Sequence, residues 1–417
     1  MKTTSFAQRL EIGDQLPDIE LGNVINHGSA TLNPAALKKK LIILDFWATT
    51  CYACIDEFPR LDSLQKKYGD QIQIIAINPE SKDSIFRYFK RFKNFQIPAI
   101  PFITGDTILS KRFPHHGVPY HVWVDSTKKI NFTTFGWNAN AKALEQYLQG
   151  RKLELTRIRH TDSSYIETPF KSTIADNAVF YSLLSRSVPG VSVSNGIEIS
   201  GPNNYPYRIT LNSAPIITLF MEAYSEGGRY NFEAGNTILF KNIRPEDLMI
   251  PADVALLDEW KKNSSYNYDL RIPPDGDINI YRCMQEDLNR YFDIKATVVK
   301  NKVDCWVIVR TSNKDKLRSK GKVSKYIHQG VHRDSLFYYH NLPMKEFVDH
   351  LQALTAYRKI PFPIVDETAY KGNADIGLSQ YIDKKMTLEA LRKDLKKYDL
   401  DIIQKKVAVP TLVLRRK

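Results

Sequence analysis

Apolar strands and amphipathic helices alternate through the first 150 residues. The run 41–47, Leu-Ile-Ile-Leu-Asp-Phe-Trp, is almost wholly apolar, which is typical of a strand covered on both faces of a sheet. Next, 55–68 has apolar residues at helical spacing and 71–78 is an Ile-rich strand. The further elements predicted here are a helix at 82–92, strands at 121–125 and 129–135, and a helix at 140–148. This order favours an α/β domain with a central mixed sheet flanked by helices.

The pattern changes after residue 150. Residues 151–204 are rich in Ser, Thr, Asn, Pro and Gly and lack a clear period, so they indicate a linker with one helix near 177–186. We therefore divide the chain into five parts: a domain at 1–150, this linker at 151–204, an α+β unit at 205–312, a basic connector at 313–335 and a second α+β unit at 336–417.

The two α+β units are interpreted as copies of one strand/helix unit. Each contains an amphipathic helix followed by strand, basic turn and strand, at 280–310 in the first and at 388–415 in the second. Upstream, 266–272 matches 372–378 when Asn267 is aligned with Asn373. Copies of one unit usually pack together, because each copy alone has an incomplete core.

The composition of the 417 residues excludes several classes of protein. With 43% apolar and 25% charged residues, the chain is not a disordered protein, a fibrous repeat or a disulfide scaffold. The net charge of +13 gives a weak attraction to anionic surfaces, and the basic connector lacks the interleaved aromatics of a base-stacking surface, so we expect no nucleic-acid partner. No apolar run approaches the ~18 residues of a membrane span.

The N-terminus carries an ambiguous sign of export. Ser5-Phe6-Ala7 has the small-x-small form of a signal-peptidase site, although no apolar signal core precedes it. We expect either a mature exported protein or an ordinary polar N-terminus.

The sequence 46–54, Phe-Trp-Ala-Thr-Thr-Cys-Tyr-Ala-Cys, carries the clearest chemistry. A strand ends, the chain turns, and a C-x-x-C pair opens a helix. The positive end of a helix stabilises a thiolate, so Cys51 is the candidate nucleophile and Cys54 the resolving thiol. A structural zinc half-site or two inert core thiols are the alternatives, but zinc would need two further ligands and no second C-x-x-C or paired His motif supplies them. We expect no metal and no cofactor beyond the Cys51–Cys54 disulfide.

These residues belong to a wider resemblance. Together with 16–21 (Leu-Pro-Asp-Ile-Glu-Leu), Glu57-Phe-Pro59 and 117–125 (Gly-Val-Pro-Tyr-His-Val-Trp-Val-Asp), the cysteine motif resembles the TlpA/ResA-like extracytoplasmic thiol–disulfide oxidoreductases of the thioredoxin superfamily. The resemblance implies a thioredoxin fold and a cis peptide between Val118 and Pro119, which leaves the Val118 backbone free to pair with an extended substrate. It also places Trp47 and Thr50 among the residues that border a bound substrate.

Two acids are candidates for proton transfer. Asp45 lies six residues before Cys51 in the buried strand and looks like the acid behind the disulfide of thioredoxin, where it would serve as base for Cys54. Glu80 follows the next strand, where the resemblance places an acid near the cysteines. The alternatives are a capped core acid for Asp45 and a solvated loop residue for Glu80.

Some features depart from the family or stay open. Thr50 stands where the family commonly has Trp, and Tyr52-Ala53 lack the Pro that usually follows the first cysteine, so the redox direction is open. His115-His116 are interpreted as loop residues, since no third metal ligand accompanies them.

The C-terminal part adds a looser resemblance without an activity. Residues 205–417 resemble a bacterial domain of unknown function, through 266–272, the helix before Tyr291 and 365–378. No nucleophile–base set, phosphate loop or metal cluster is visible there, so we expect a role in client binding or docking.

The sequence therefore predicts a thiol–disulfide oxidoreductase of cysteine-containing client proteins, coupled to an upstream thiol–disulfide electron donor or acceptor. The resemblance implies a periplasmic or otherwise extracytoplasmic location, with a cytoplasmic one as the alternative. A non-catalytic peptide-binding module on a thioredoxin fold is the alternative function. A thiol peroxidase is a lesser alternative, since the Pro-x-x-x-Thr-x-x-Cys arrangement of peroxiredoxins is missing. The oligomeric state is left open.

Overall fold

The computed structural model describes ten stretches of the chain: 9–91, 97–115, 117–158, 178–191, 193–201, 204–274, 278–332, 335–357, 360–378 and 388–417. Contacts divide the chain into two compact units, one of Met1–Ile216 with Leu248–Gly276 and one of Ile217–Asp247 with Asp277–Lys417. Among the described helices, none combines the length and the hydrophobicity that crossing a bilayer requires.

The first unit begins with a six-stranded sheet. Its strands are β1 (Val24–Ile25), β2 (Leu41–Phe46), β3 (Ile72–Asn78), β4 (Phe102–Thr104), β5 (Tyr120–Asp125) and β6 (Ile130–Phe135). The helices among them are α1 (Tyr52–Tyr68), α2 (Lys82–Arg91), α3 (Leu109–Arg112) and α4 (Ala141–Leu148). The strand order is β1-β4-β3-β2-β5-β6, in which β2, β3 and β4 are parallel and the others join antiparallel. The mixed α/β sheet predicted for 1–150 is therefore confirmed.

Helices and coil cover both faces of this sheet, which explains the continuous apolar run of β2. Alternate β2 residues point to opposite faces: Ile43 packs with α1, α2 and α4, whereas Leu44 packs with α3 and the N-terminal segment. The helix predicted at 55–68 begins earlier, at Tyr52, because Cys51 caps it. The short elements β1, β4 and α3 were not predicted, since two to four residues carry too little periodicity.

Further elements lie between 181 and 271. They are β7 (Tyr181–Arg186), β8 (Ser194–Ser200), β9 (Tyr205–Pro215), α5 (Ile216–Ser225), β10 (Ile238–Lys241), α6 (Leu257–Ser264) and β11 (Ser265–Arg271). An antiparallel sheet in the order β7-β11-β9-β8 belongs to the first unit. The helix predicted near 177–186 is wrong where the structure describes it, because 181–186 pairs along its whole length with β11.

Two strands thus lie inside the segment 151–204 that the sequence indicated as a linker. Residues 159–177 fall outside the described part of the chain. The five-part division stays a prediction.

The rest of the described chain contains α7 (Ile280–Tyr291), β12 (Ile294–Arg310), β13 (Lys325–His332), β14 (Ser335–Pro343), α8 (Met344–Tyr357), β15 (Ile364–Asp366), β16 (Asn373–Leu378), α9 (Leu388–Leu395) and β17 (Leu400–Arg416). Short 3-10 helices lie at Pro34–Ala36, Gly136–Asn138, Gly235–Thr237, Pro245–Asp247, Val254–Leu256 and Lys396–Tyr398. In the second unit the strand orders are β10-β17-β12-β15 and β13-β14-β16.

The basic turns predicted within 294–310 and 400–416 are wrong. Each segment is one continuous strand of 17 residues. The two strands pair antiparallel over their whole length, from Ile294 opposite Arg416 to Arg310 opposite Leu400. The basic residues at each centre therefore lie in a ladder between the two strands, with their side chains partly or fully exposed, rather than in a hairpin within one copy.

The two-copy interpretation stays a prediction, and one local feature supports it. A β-bulge interrupts β9 against β11 and also interrupts β14 against β16. In the first, Ser213 has a φ of 48° and donates its backbone N–H to Asn267 Oδ1 at 2.9 Å. In the second, Asn341 has a φ of 55° and donates to Asp375 Oδ1 at 2.9 Å. By these bonds, Asn267 in the first unit corresponds to Asp375 in the second. The sequence alignment instead pairs Asn267 with Asn373, two residues earlier.

We predict that a new thiol at Lys405 will form a disulfide with Cys305. The two residues lie directly opposite each other on β12 and β17, and Cys305 is unpaired in the structure. Opposite residues in an antiparallel pair have Cα atoms ~4.5–5.5 Å apart, which a disulfide can bridge. The measurement is peptide mapping of Lys405→Cys after mild oxidation, in a chain with Cys51→Ser and Cys54→Ser.

The matched control is Lys406→Cys, whose partner on β12 is Asp304 and whose side chain points to the other face. A 305–406 crosslink as strong as the 305–405 crosslink would contradict the register.

Candidate active site

Cys51 and Cys54 form a disulfide at the start of α1. Cys51 is the N-cap residue, and its Sγ accepts the backbone N–H of Cys54 at 3.1 Å. Cys51 is partly exposed, whereas Cys54 is fully buried in the core cluster with Ile43 and Phe58. An external disulfide can therefore reach Cys51 more easily than Cys54, and their roles as nucleophile and resolving thiol stay a prediction.

The Val118–Pro119 peptide is cis, as the resemblance implies. It lies beside the disulfide, with Val118 O 3.5 Å from Cys51 Sγ. Both residues are half-buried, and Thr50 next to Cys51 is exposed. These three residues share one accessible region with the sulfur of Cys51, and their role in binding a substrate stays a prediction.

Trp47 lies beneath this region rather than on it. It is 1% exposed and packs within an aromatic cluster of Phe58, Phe89 and Phe102, with ring centroids 5.1 to 6.0 Å away. Its position corrects the substrate-binding role implied by the resemblance, because so little of its surface is available. Its contribution is to support the turn that leads to Cys51.

Asp45 is fully buried on the face of the sheet that α1 covers. It is directly opposite His121 in the pairing of β2 with β5, and its Oδ1 lies 3.2 Å from His121 Nε2. Burial raises the pKa of Asp45, while the hydrogen bond and charge of His121 act in the opposite direction. A buried carboxyl with a raised pKa behind the disulfide fits the proton acceptor predicted for Cys54.

Two further residues of this cluster were not singled out from the sequence. His121 Nε2 lies 3.0 Å from Oε1 of Glu57, which is buried one helical turn after Cys54. Arg60 contacts Glu57 Oε2 at 2.9 Å. Burial by itself would lower the pKa of His121, but the charges and hydrogen bonds of Glu57 and Asp45 raise it to about 9.

Signals for both residues were present in the sequence. Glu57 is in the Glu57-Phe-Pro59 motif that carries the resemblance, and its i, i+3 spacing from Cys54 places both on one face of α1. His121 is a polar residue inside an apolar strand. What the sequence lacked was the register that sets His121 opposite Asp45.

Asp45, Glu57 and His121 are arranged as ion pairs. Their nearest side-chain atoms all lie within 4.8 Å of one another, a separation that a metal ion could also span. However, His121 is already placed between the two carboxylates, and the Arg60 guanidinium occupies an oxygen of Glu57. Two cationic side chains thus face the two acids.

Glu80 contacts Thr49 rather than a cysteine. Its carboxylate accepts hydrogen bonds from the Thr49 backbone N–H at 2.9 Å and from Thr49 Oγ1 at 2.8 and 2.9 Å. Its own N–H donates to Asn78 Oδ1 at 2.6 Å. Glu80 therefore fixes the turn between β2 and Cys51. Its catalytic role stays a prediction, and the contact described connects it to Cys51 through Thr49.

His115 is a loop residue that stacks on Tyr120 at 5.1 Å between ring centroids, with Nδ1 2.8 Å from Phe113 O. His116 lies outside the described residues.

Comparison with known proteins gives a family match within the first unit. Residues 12–140 match the model of the AhpC/TSA family. The chain is similar to proteins named as thioredoxin-like and to ResA-type thiol–disulfide oxidoreductases. The ResA of Bacillus cereus (strain ATCC 10987 / NRS 248) is 24% identical over 146 residues, which are 35% of this chain and 81% of that protein.

Two proteins of Bacillus subtilis are also similar to this chain. The thiol–disulfide oxidoreductase YkuV is 25% identical over 125 residues, 28% of this chain and 84% of YkuV. The thioredoxin-like protein YneN is 32% identical over 83 residues, 20% of this chain and 47% of YneN, so the chain spans about half the length of that relative. A solved structure from Chlorobium tepidum, a putative thiol:disulfide interchange protein DsbE, is 24% identical over 34% of this chain and 97% of its own, with a TM-score of 0.29.

We predict that the stability of the oxidised protein falls between pH 6.5 and pH 9, and that His121→Asn reduces this slope. The pKa of His121 is about 9 in the folded state against an ordinary value of 6.5. Protonated His121 therefore stabilises the fold fully below pH 6.5, and the stabilisation is lost as the pH rises through 9. The groups facing it are Asp45, Glu57 and Arg60.

The measurement is urea unfolding at pH 6.5, 7.5 and 9 of the oxidised protein, in which Cys51 and Cys54 do not titrate. Removing one partner of a buried ion pair also costs ~3–5 kcal/mol, so the variant should be less stable at pH 6.5. His27→Asn, at an exposed position, is the control. Equal pH slopes for His121→Asn and the unaltered chain would contradict the prediction.

Proposed function

We propose that the protein is a thiol–disulfide oxidoreductase that exchanges electrons with protein cysteines through Cys51 and Cys54. The observation that carries the proposal is the unequal exposure of a C-x-x-C disulfide at a helix N-terminus, with Cys51 accessible and Cys54 buried one helical turn before Glu57. The relatives named as thiol–disulfide oxidoreductases support the same activity for the thioredoxin-like domain.

In the reducing direction, the Cys51 thiolate attacks one sulfur of a client disulfide. The Cys51–client bond forms as the client S–S bond breaks, and the leaving sulfur takes the electron pair and then a proton. The N-cap position supports this step, because the Cys54 N–H and the helix dipole act on the sulfur of Cys51.

Cys54 then attacks the sulfur of Cys51, closes the enzyme disulfide and releases the second client thiolate. For this step the Cys54 thiol must lose its proton in a buried place, which requires an acceptor close by. Asp45 and Glu57 are the buried carboxyls on this side of the sheet, and His121 holds them together. The oxidising direction is the same sequence in reverse.

The partners proposed are cysteine-containing client proteins and a second thiol–disulfide protein that restores the starting redox state. An extracytoplasmic location is proposed from the resemblance to TlpA/ResA-like proteins. Client binding or docking by the C-terminal region is proposed because its sequence carries no nucleophile–base set, phosphate loop or metal cluster of its own.

Thiol peroxidase activity is a second candidate, favoured by the match of residues 12–140 to the AhpC/TSA family model. Against it, the residue three before Cys51 is Ala48, where the peroxiredoxin arrangement has Thr. Consumption of peroxide by the reduced protein distinguishes this candidate from thiol–disulfide exchange.

The experiment that tests the proposal is the equilibrium reduction potential of the Cys51–Cys54 pair, measured against glutathione with Cys51→Ser as control. A potential near ~−250 mV or lower identifies a reductant, and one near ~−150 mV or higher identifies an oxidant or isomerase. A pair that shows no reversible exchange contradicts catalysis and leaves a peptide-binding module as the function.

We predict that Cys54→Ser accumulates a covalent complex with client proteins, whereas Cys51→Ser does not. Without Cys54 the mixed disulfide on Cys51 cannot be resolved within the enzyme. The measurement is non-reducing electrophoresis after incubation of each reduced variant with oxidised insulin. Equal amounts of complex from both variants would show that the roles of the two cysteines are not distinct.

We predict that Asp45→Asn slows the attack of Cys54 on the mixed disulfide ~10-fold or more, because proton transfer to a positioned group contributes ~10²–10⁴-fold. Asp45 faces His121, Glu57 and Arg60, so the variant should also alter the pH dependence of exchange. The measurement is the exchange rate from pH 5 to 9. Asp83→Asn, an exposed acid on α2, is the control, and an unchanged pH profile for Asp45→Asn would remove this role.

A further inference from the structure

The chain 135–138, at the end of β6, lies directly against Glu57. Gly136 has no side chain, and a Cβ at this position would overlap the Glu57 carboxylate. The Arg60 guanidinium joins the two, since one nitrogen bonds both Glu57 Oε2 at 2.9 Å and Gly136 O at 3.0 Å. A shift of this segment would therefore move or release the carboxylate of Glu57.

A residue from beyond residue 150 holds the other side of the same segment. Asp258, on α6, accepts hydrogen bonds from Trp137 Nε1 at 2.9 Å and from Asn138 Nδ2 at 2.8 Å. Its Oδ2 also accepts the backbone N–H of Thr156 at 3.1 Å. One carboxylate thus ties two consecutive side chains of the segment to α6.

Stacking adds to this attachment. The rings of Phe135 and Trp137 are stacked with centroids 4.2 Å apart. Lys261, one turn after Asp258 on α6, places its ammonium 4.3 Å from the centroid of Trp137 and 5.2 Å from that of Phe135. A cation over the face of a Trp ring is attracted by the ring electrons, and the attraction is stronger where water is excluded. The Asp258 bonds and the Lys261 contact leave Trp137 with one orientation.

We propose that Asp258 is a positioning residue for Glu57, acting through the segment 135–138. The proposal rests on the proposed function, because it assigns the effect to the proton that Cys54 loses during thiol–disulfide exchange. In this role the region beyond residue 150 contributes to the chemistry of the thioredoxin-like domain as well as to docking. Glu57 is one turn after Cys54 on α1, so its placement affects the second step of exchange and not the first.

The two steps are separable with Ellman's reagent, 5,5′-dithiobis(2-nitrobenzoate), and the reduced full chain carrying Cys283→Ser and Cys305→Ala, so that Cys51 and Cys54 are its only thiols. This chain is the parent of every variant below. Attack by Cys51 releases one thionitrobenzoate and leaves the other bound as a mixed disulfide. Attack by Cys54 releases the second and closes the enzyme disulfide, so two thiols are oxidised and one reagent disulfide is reduced. Stopped-flow absorbance records both releases in one trace.

For Asp258→Asn we expect the rate of the first release to stay within ~2-fold of the rate without the substitution, and the rate of the second to fall ~5-fold or more. This is a small part of the ~10²–10⁴-fold rate effect of a positioned acid or base. Asp258→Glu should restore part of the rate, since it keeps the carboxylate. The matched control is Glu259→Gln, which makes the same charge change at an exposed neighbouring position of α6.

Trp137→Phe provides an independent variant, because it keeps an aromatic ring and removes the N–H that Asp258 accepts. It should slow the second release as well, and its effect should not add to that of Asp258→Asn if both act through one contact. If Asp258→Asn fails to fold, Trp137→Phe and Asp258→Glu decide the question by the same two rates.

Equal slowing of both releases would assign Asp258 a structural role only and overturn the proposal. A second release as fast as in Glu259→Gln would overturn it too. If the parent chain with only Cys51 and Cys54 releases one thionitrobenzoate and not a second, the proposed function itself fails, which is a different outcome from a variant-specific change.

Discussion

Asp45, His121 and Glu57 are buried and in contact with one another. The arrangement of the site depends on the balance between the cost of burying charged groups and the attraction among them. An ionised side chain buried without a partner costs several kcal/mol, so each of the three needs the others. Asp45 and His121 come from neighbouring strands of one sheet, whereas Glu57 comes from the helix that begins at Cys51. Glu57 therefore links α1 to the sheet through His121, beside the apolar packing of Phe58 and Leu61.

The contacts within this cluster also change how tightly Asp45 and His121 bind their protons. A carboxyl that is buried beside a second carboxyl binds its proton more tightly, and a protonated imidazole between them counteracts this effect. Such a cluster can accept a proton from a buried thiol and return it without contact with solvent. Cys51 needs no such help, because it is partly exposed and caps its helix. The two sulfurs thus differ in environment although only two residues separate them.

The polypeptide beyond residue 150 gives the molecule features that a thioredoxin-like domain alone would lack. An antiparallel sheet in the first unit brings α6 against the segment after β6, where Asp258 meets Trp137 and Asn138. The second unit is built around two 17-residue strands that pair with each other over their full length. Their central lysines, Lys300, Lys302, Lys405 and Lys406, are exposed. Towards one end each strand pairs with a further strand, β12 with β15 and β17 with β10.

The sequence by itself determined the local features. Apolar runs predicted β2, β3 and β5, and the C-x-x-C spacing with its helix identified Cys51 and Cys54, because these signals lie within a few neighbouring residues. The partners of Asp45 were decided by tertiary structure, since a two-residue period shows which face a side chain takes and not which residue of the next strand lies opposite.

Glu80 and β12 also show that local sequence does not determine the partner of a polar side chain. Glu80 follows its strand close to the cysteines in the fold, yet its carboxylate is directed to Thr49. The basic residues of β12 predicted a turn, but they lie within a strand because β17, about a hundred positions later, supplies hydrogen-bond partners along its whole length. Local pattern predicted the main elements of residues 1–150, and long-range pairing decides which polar groups meet, because the free energy of a buried charge depends on neighbours that only the folded chain assembles.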